Sequence, residues 1–307
     1  MAEQRKTSRE EISSAKSLEV FSQGLGFLLS RYGARILLTV FAILIVSILV
    51  YPFVFAVLTS FIKGQVIITS IDDLFRYGLT LEHYVRAVSE EGFINALFTS
   101  LLVAFTTIII AVLVITPAAY GFSRFKFWGR DTILFMYLLL SQVGGGFGIA
   151  AVIALYVFLL KLHTMGIPTL GNPFILSLIY VAGAVPFQTW LLKSYFDNLP
   201  KELDEAAFID GASWGQIVFK IVLPSSKPAM IIVALFAFMS AWGEFITADF
   251  LRVKTLAAYI YETATGQTIY WADFAARTIL FAIPVIILYA VAQKYIGEAM
   301  RYGALKA

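Results

Sequence analysis

Six long apolar runs, parted by polar and charged stretches, organise the chain. The first extends from Ile36 to about Phe61 and meets no charge before Lys63. The second lies within Phe93 to Tyr120, the third within Thr132 to Leu160, and the fourth from Phe174 to Leu192. The fifth covers about Pro228 to Phe250, and the sixth runs from near Ala275 to Lys294. Each is judged against the roughly 20 residues that carry a helix through the hydrocarbon core of a bilayer, and each predicts a membrane span. The charge-free part of the sixth is short, so Arg277 is expected to snorkel to the headgroups. Pro117, Pro186 and Pro284 fall inside the runs and predict kinks. A Gly/Pro-rich break from His163 to Pro173 parts the third run from the fourth. The expected fold is all-α and membrane-integral, with six transmembrane helices.

Composition agrees. Of 307 residues, 60% are hydrophobic and 14% charged, against roughly 25% charged in soluble domains. A soluble fold of this size has no way to hide so much apolar surface. The chain has no cysteine, which excludes disulfides and thiolate metal sites, and only two histidines, His83 and His163, both expected as polar loop residues. No metal site is expected. Phosphate-binding G-x-x-x-x-G-K-[ST] is absent as well, so any ATP that drives this protein must sit on another subunit. A net charge of +3 gives no sign of nucleic-acid binding.

The distribution of charge orients the spans. With the N-terminus inside, residues 1–35, the loop with Arg124, Lys126 and Arg130, the loop at about 193–227 and the tail from Lys294 hold sixteen of the 23 Lys and Arg residues. This is the positive-inside asymmetry, and it places both termini in the cytoplasm. Residues 1–35 read as a cytoplasmic segment without a secretory signal. Within it, Leu18 to Tyr32 suits either an interfacial amphipathic helix or a plain lead-in. Residues 36–307 form the membrane domain. Between the first two spans, Gly64 to Gly92 makes a longer outer loop with acids at Asp72, Asp73, Glu82, Glu90 and Glu91. It either touches an external partner or simply connects.

One polar island stands out, Leu199 to Met230. Pro200 suits the first turn of a helix, and Glu202 and Asp204 put negative charge near its positive end. Gly211 suits its left-handed C-terminus. Ser213 and Gln216 have the spacing of a capping box that opens a second helix, and Pro224 is expected to stop it. The two alanines, Ala206 and Ala207, are expected to share a face that lets another protein approach closely, with Glu205 beside them as an acceptor.

Glu205, Ala206, Ala207, Gly211, Ile221, Leu223 and Pro224 stand in the order E-A-A-x3-G-x9-I-x-L-P. This resembles the EAA loop of ABC importer permease subunits, an order that chance gives on the order of once in a billion. Ala119-Tyr120-Gly121-Phe122-Ser123-Arg124-Phe125-Lys126-Phe127 is similar to the aromatic and basic run of the carbohydrate-uptake branch. That branch is typified by the smaller membrane subunit of the maltose transporter. Ile209-Asp210-Gly211-Ala212-Ser213 and Leu223-Pro224 with Pro228-Ala229 match it too, as does the tail Gly303-Ala304-Leu305-Lys306-Ala307. Trp242-Gly243-Glu244-Phe245 resembles its W-N-E-F pattern, with Gly in place of Asn.

The resemblance covers roughly residues 36–307. It implies the ABC importer permease fold, a prokaryotic cell membrane, and no enzymatic activity or cofactor in this chain. The implied partners are a second, paralogous permease, a pair of ATPase subunits that bind ATP and Mg, and an extracytoplasmic sugar-binding protein. The implied cargo is a sugar or oligosaccharide of maltose or trehalose type. In this family the loop with Glu205, Ala206, Ala207, Asp210, Gly211, Ile221, Leu223 and Pro224 docks into the ATPase.

Polar residues inside the spans carry the remaining candidate chemistry, because their burial in hydrocarbon is costly. Glu244, Trp242 and Gln142 are candidates for lining the passage, where sugar hydroxyls need hydrogen-bond partners and sugar C–H faces suit aromatic rings. The alternative gives Glu244 an interhelical contact or a helix break to satisfy, and makes Trp242 an interfacial anchor. Gly144, Gly145, Gly146 and Gly148 in the third run read either as close helix packing or as a hinge. Rival functions are an importer for polyols or glycerol phosphate and, further off, half of a secondary transporter. The latter would want ionisable residues deep in the spans. A membrane-embedded enzyme would need clustered His, Asp or Glu, which the chain lacks. Because the chain is cysteine-free, orientation is directly testable. Glu202→Cys should react with a membrane-impermeant maleimide only when the inner face is opened, and Asp72→Cys in intact cells; the reverse pattern would invert the topology.

Overall fold

The structure, a computed structural model, describes residues 33, 35–68, 70, 72–266 and 268–304, with the side chains at 140–147 and 298–304 outside that description. The expected N-terminal segment and the last three residues therefore lie almost wholly outside the described residues. The chain divides into two units, Met1–Leu58 and Thr59–Ala307. Most of α1 (Arg35–Phe61) belongs to the first unit; it has 27 residues, with an 18-residue stretch at a mean hydropathy of 2.8. That is about 40 Å of helix, long enough to cross the hydrocarbon core.

The second unit is helical throughout its described elements. On its N-terminal side stand α2 (Asp72–Tyr77), α3 (Glu82–Ser89) and α4 (Glu91–Arg124), then α5 (Arg130–Thr164) and α6 (Pro173–Phe196). Next come α7 (Glu202–Ile209), α8 (Trp214–Gln216), a π-helical stretch Ile217–Val222 and α9 (Leu223–Ser225). The remaining elements are α10 (Lys227–Gly243), α11 (Ile246–Phe250), α12 (Leu256–Ala264) and α13 (Trp271–Ala304).

The six expected spans are realised unequally. α1, α4, α6 and α13 are long, apolar and continuous. α10 makes a span only together with the rod Trp214–Ser225, from which it bends by 91°. α5 is broken at Gly148, whose φ of 48° and ψ of −132° are non-helical. Only glycine takes such a backbone at low cost. The described residues thus hold four uninterrupted apolar helices long enough to cross a membrane, or five with the bent pair.

α4 is the centre of the packing, with its most extensive contact along α6 and a second along α10. A stripe of small buried residues, Ala96, Ser100, Ala104, Thr107, Ala111 and Ala119, recurs at helical spacing on its packed face. Small side chains let helix backbones approach closely, which is how apolar helices gain contact without a hydrophobic drive between them. Ser177 at the start of α6 donates to the Val103 carbonyl at 3.2 Å, and Arg124 at the end of α4 donates to the Phe196 carbonyl at the end of α6. The two helices therefore run parallel, and α5 is the return between them. α10 runs the other way, with Met230 beside Thr116 and Glu244 beside Tyr180.

Two apolar clusters occupy opposite ends of this bundle. One gathers Val103, Tyr180, Phe238, Trp242, Leu251 and Leu256 near α11 and α12. The other gathers Ile115, Tyr120, Phe196, Ala207, Ile217 and Val222 under α7 and α8.

The end near α12 is closed by paired charges. His83 is buried, not the polar loop residue expected; its Nδ1 lies 2.6 Å from Asp273 Oδ1, and its Nε2 lies 2.9 Å from the Ile62 carbonyl. Both ring nitrogens thus lie within hydrogen-bond distance of an oxygen, one a carboxylate and one a carbonyl. Arg86 donates to the second Asp273 oxygen at 2.9 Å. Arg277 does not snorkel: α13 starts at Trp271, so Arg277 meets the start of α4, donating to Glu90 at 2.6 Å and lying over the Tyr259 ring. Burial and a hydrogen bond to Glu90 push the Tyr259 phenol up to about 12, so it remains a proton donor across physiological pH. Replacing His83 by Ala strips Asp273 and the Ile62 carbonyl of a shared partner at once. Purified His83→Ala protein should lose about 2–3 kcal/mol of stability. Thermal unfolding in detergent would show the loss, and His83→Gln should recover part of it.

Candidate functional site

The polar island folds as two helices joined by a tight turn. α7 carries Glu202, Asp204 and Glu205 in its first turn. It begins after Pro200 rather than on it, with Lys201 at the cap. Its end is a complete Schellman turn. The Gly211 N–H reaches the Phe208 carbonyl at 3.1 Å and the Ala212 N–H reaches the Ala207 carbonyl at 3.0 Å. Gly211 sits at φ +83°, where an L side chain is strained. Two residues on, Ser213 and Gln216 form the expected capping box, the Ser213 N–H bonding Gln216 Oε1 at 2.8 Å.

The second helix differs from expectation. Pro224 does not stop it; the rod continues to Ser225 and ends at Ser226, whose φ is −103° and ψ 21°. The cause is the π-helical stretch before it, where the Leu223 N–H reaches back five residues to the Val218 carbonyl. That change of register puts Pro224 in the first turn of α9, where its missing N–H costs little. Ser225 and Ser226 hydroxyls then bond the Ile221 and Val222 carbonyls, the back-bonding that bends helices. The 91° corner follows.

The alanine pair also divides. Ala206 is exposed, while Ala207 is buried against Ile217 and Val218. Consecutive residues on a helix point about 100° apart, so both cannot face one partner. Ala207 holds α7 onto the chain's own core. Glu205, Asp210, Gly211 and Pro224 are exposed, and Ile221 and Leu223 are half-buried supports of the cluster. The outward surface is strongly apolar for a polar island: Phe208 and Trp214 are exposed, and Ile209 is 86% exposed.

The structure brings this hinge together with a motif far upstream. Arg124, the last residue of α4, donates through Nε to Asp204, through Nη1 to the Phe196 carbonyl at 3.0 Å and through Nη2 to the Leu199 carbonyl at 3.3 Å. Ser123 donates to Asp197 at 2.7 Å. Phe125 meets the Trp214 ring edge-on at 5.1 Å. Sequence reading marked this run as a resemblance without assigning it contacts.

The passage candidates lie elsewhere. Trp242 is 1% exposed, stacked between Phe238 and Phe281, with its indole N–H on the Phe281 carbonyl at 3.0 Å. It is a packing residue of this chain, neither an open lining nor an interfacial anchor. Glu244 sits at the break between α10 and α11. It accepts the Thr247 N–H at 2.8 Å and the Tyr180 hydroxyl at 2.6 Å, so it covers a helix break. The side chain of Gln142 lies outside the described residues. Glycine at 243 is exposed and leaves open space around it.

A bundle of long apolar helices with an exposed helix–turn–helix at one end defines a polytopic membrane protein. The chain belongs to the family described as "Binding-protein-dependent transport system inner membrane component", which matches residues 115–302. It is 36% identical over 281 residues to the trehalose/maltose transport system permease protein MalG of Thermococcus litoralis, covering 89% of this chain and 97% of that protein. It is 32% identical over 271 residues to the maltodextrin transport system permease protein MdxG of Bacillus subtilis, covering 87% and 94%. In fold it is similar to a chain in the crystal structure of a bacterial ABC transporter that imports the polysaccharide alginate. That match has a TM-score of 0.68 at 21% identity and covers 85% of this chain and 95% of the other.

If Glu244 covers the helix break, Glu244→Gln should fold and transport near the parental level, because an amide oxygen still accepts the Thr247 N–H. Glu244→Ala should lose about 1–3 kcal/mol of stability. Thermal unfolding combined with uptake assays separates this from a passage role, in which Glu244→Gln would abolish uptake without lowering stability.

Proposed function

We propose that this chain is one of two membrane subunits of an ATP-driven importer for a sugar or oligosaccharide of maltose or trehalose type. Six spans cross a prokaryotic cell membrane, both termini lie in the cytoplasm, and the α7–α9 hinge projects there. Support for six comes from the parallel pairing of α4 and α6, which needs α5 as a crossing in the opposite direction despite its break. Support for the cargo comes from relatives whose names specify trehalose, maltose and maltodextrin.

The observation that carries the reading is the hinge itself. It is rigid, with both helix ends capped, and it is anchored through Ala207. Outward it presents Glu205, Ala206, Phe208 and Ile209. An exposed face that mixes Ala206, Phe208 and Ile209 with the acids Glu202, Glu205 and Asp210 suits a cleft on a cytoplasmic ATPase. ATP and Mg belong to a pair of such ATPase subunits, and a paralogous permease completes the gate. An external binding protein delivers cargo to the outward-open pair. ATP-driven closure then moves the hinges and switches the passage. This chain makes and breaks no covalent bond.

Co-expression with an ATPase subunit, a second permease and a binding protein, followed by proteoliposome uptake, tests the proposal. ATP-dependent accumulation of labelled trehalose or maltodextrin is expected. Gly211→Pro should lower it by at least about tenfold, since it destroys the Schellman N–H bond. Uptake only of a polyol or glycerol phosphate would replace the cargo. Failure of any ATPase to co-purify would overturn the reading.

A further inference from the structure

The proposed function accounts for the hinge but leaves the run Ser123-Arg124-Phe125 without a role. We infer that this tripeptide is the socket that locks the hinge to α4, so that α7, α8 and the inner ends of α4 and α6 move as one body. The inference rests on the ATPase-docking reading of the hinge and adds positioning residues to it. None of the three would touch cargo or nucleotide.

Each residue of the run grips a different part of the hinge region. Ser123 holds Asp197, the residue that caps α6, and Lys193 holds the other oxygen of the same carboxylate at 2.6 Å. Arg124 spans three places at once: the last carbonyl of α6, the Leu199 carbonyl of the connection, and Asp204 in the first turn of α7. A cation suits a helix C-terminus and an anion suits a helix N-terminus, so each end of the pair is favoured by the helix it sits on. Phe125 closes an aromatic group in which Trp214 of α8 also meets Phe208 of α7 at 5.1 Å and Tyr120 of α4 at 6.4 Å. Three neighbouring residues thus reach α6, α7 and α8.

Burial makes the lock stiff. The Arg124 side chain is 7% exposed and that of Asp204 13%. Separating them would leave a charge in an apolar surrounding without its counter-ion, a heavy penalty that an exposed surface pair does not carry. A push on the hinge therefore reaches α4 directly, and α4 touches α6, α10 and α12. Without the pair, the hinge would be held by the Ala207 contact and by the chain at Phe196–Glu202 and Ser226, and part of the same push would be absorbed there. Lysine at 124 would keep the charge but lose the fork that reaches three acceptors.

The test uses the full complex in proteoliposomes, with Arg124→Gln, Arg124→Lys and Asp204→Asn compared with the parent. Three quantities are read: ATPase co-purification, ATP hydrolysis, and cargo transported per ATP hydrolysed. A pair of spin labels at Glu202→Cys and Lys126→Cys reports whether α7 stays fixed to the end of α4. Co-purification is expected to persist in Asp204→Asn, with hydrolysis retained and transport per ATP reduced about tenfold. The label distance, single in the parent, should broaden in the same variant. Arg124→Lys should fall between the parent and Arg124→Gln. Parental transport per ATP and an unbroadened distance in Asp204→Asn and Arg124→Lys would overturn the socket, even if Arg124→Gln fails to assemble. Failure of the parent itself to assemble with an ATPase would instead remove the function on which the socket depends.

Discussion

A backbone N–H or C=O surrounded by hydrocarbon has no water to bond, so every such group must find a partner within the protein. The apolar runs of this chain meet that demand by becoming helices. Where helices start or stop within the packed unit, side chains take over the freed groups. Ser100 accepts the Leu256 N–H at the start of α12, and Thr255 caps the same helix. Glu244 serves the start of α11, Asn172 caps α6, and Arg124 takes the last carbonyl of α6. Polar residues in this protein are placed first of all to keep its breaks closed.

The two ends of the bundle apply the rule differently. Near α12, His83, Arg86 and Asp273 tie α3 to α13, and Glu90 with Arg277 ties α13 to α4. These joints tie the short helix α3 to the long helices of the apolar bundle, and they hold its rim together. At the opposite end Arg124 and Asp204 tie α4 to a helix pair that projects from the bundle with Phe208 and Ile209 uncovered. One end is tied together; the other leaves uncovered the face that the proposed function assigns to an ATPase. A subunit that passes force from a soluble motor to a membrane passage needs this asymmetry, because a handle works only if it cannot turn independently of what it moves.

Rigidity in the hinge comes from several modest contributions that reinforce one another. The Schellman bonds, the capping box and the Ala207 contact are each ordinary, but they constrain successive residues of one short segment. The π-helical stretch then shifts the register so that Pro224 is tolerated and the rod turns sharply into α10. A departure from the ideal helix thus sets the angle between the hinge and α10.

What the sequence determined by itself was local: the apolar runs, the helix–turn–helix with its Gly211 end and Ser213–Gln216 start, and the family these residues resemble. Apolar periodicity, caps and turns depend on residues within about four positions of one another, and such information is written in the chain directly. Tertiary structure decided which distant polar groups meet. His83 and Asp273 are 190 positions apart and Arg124 and Asp204 are 80 apart, so no spacing rule joins them. It also decided that Ala207 turns inward while Ala206 stays out, that Trp242 packs instead of lining an opening, and that Gly148 interrupts α5. Those outcomes depend on how closely α4, α6 and α10 approach one another, a property of packed surfaces in three dimensions that no single stretch of the chain contains.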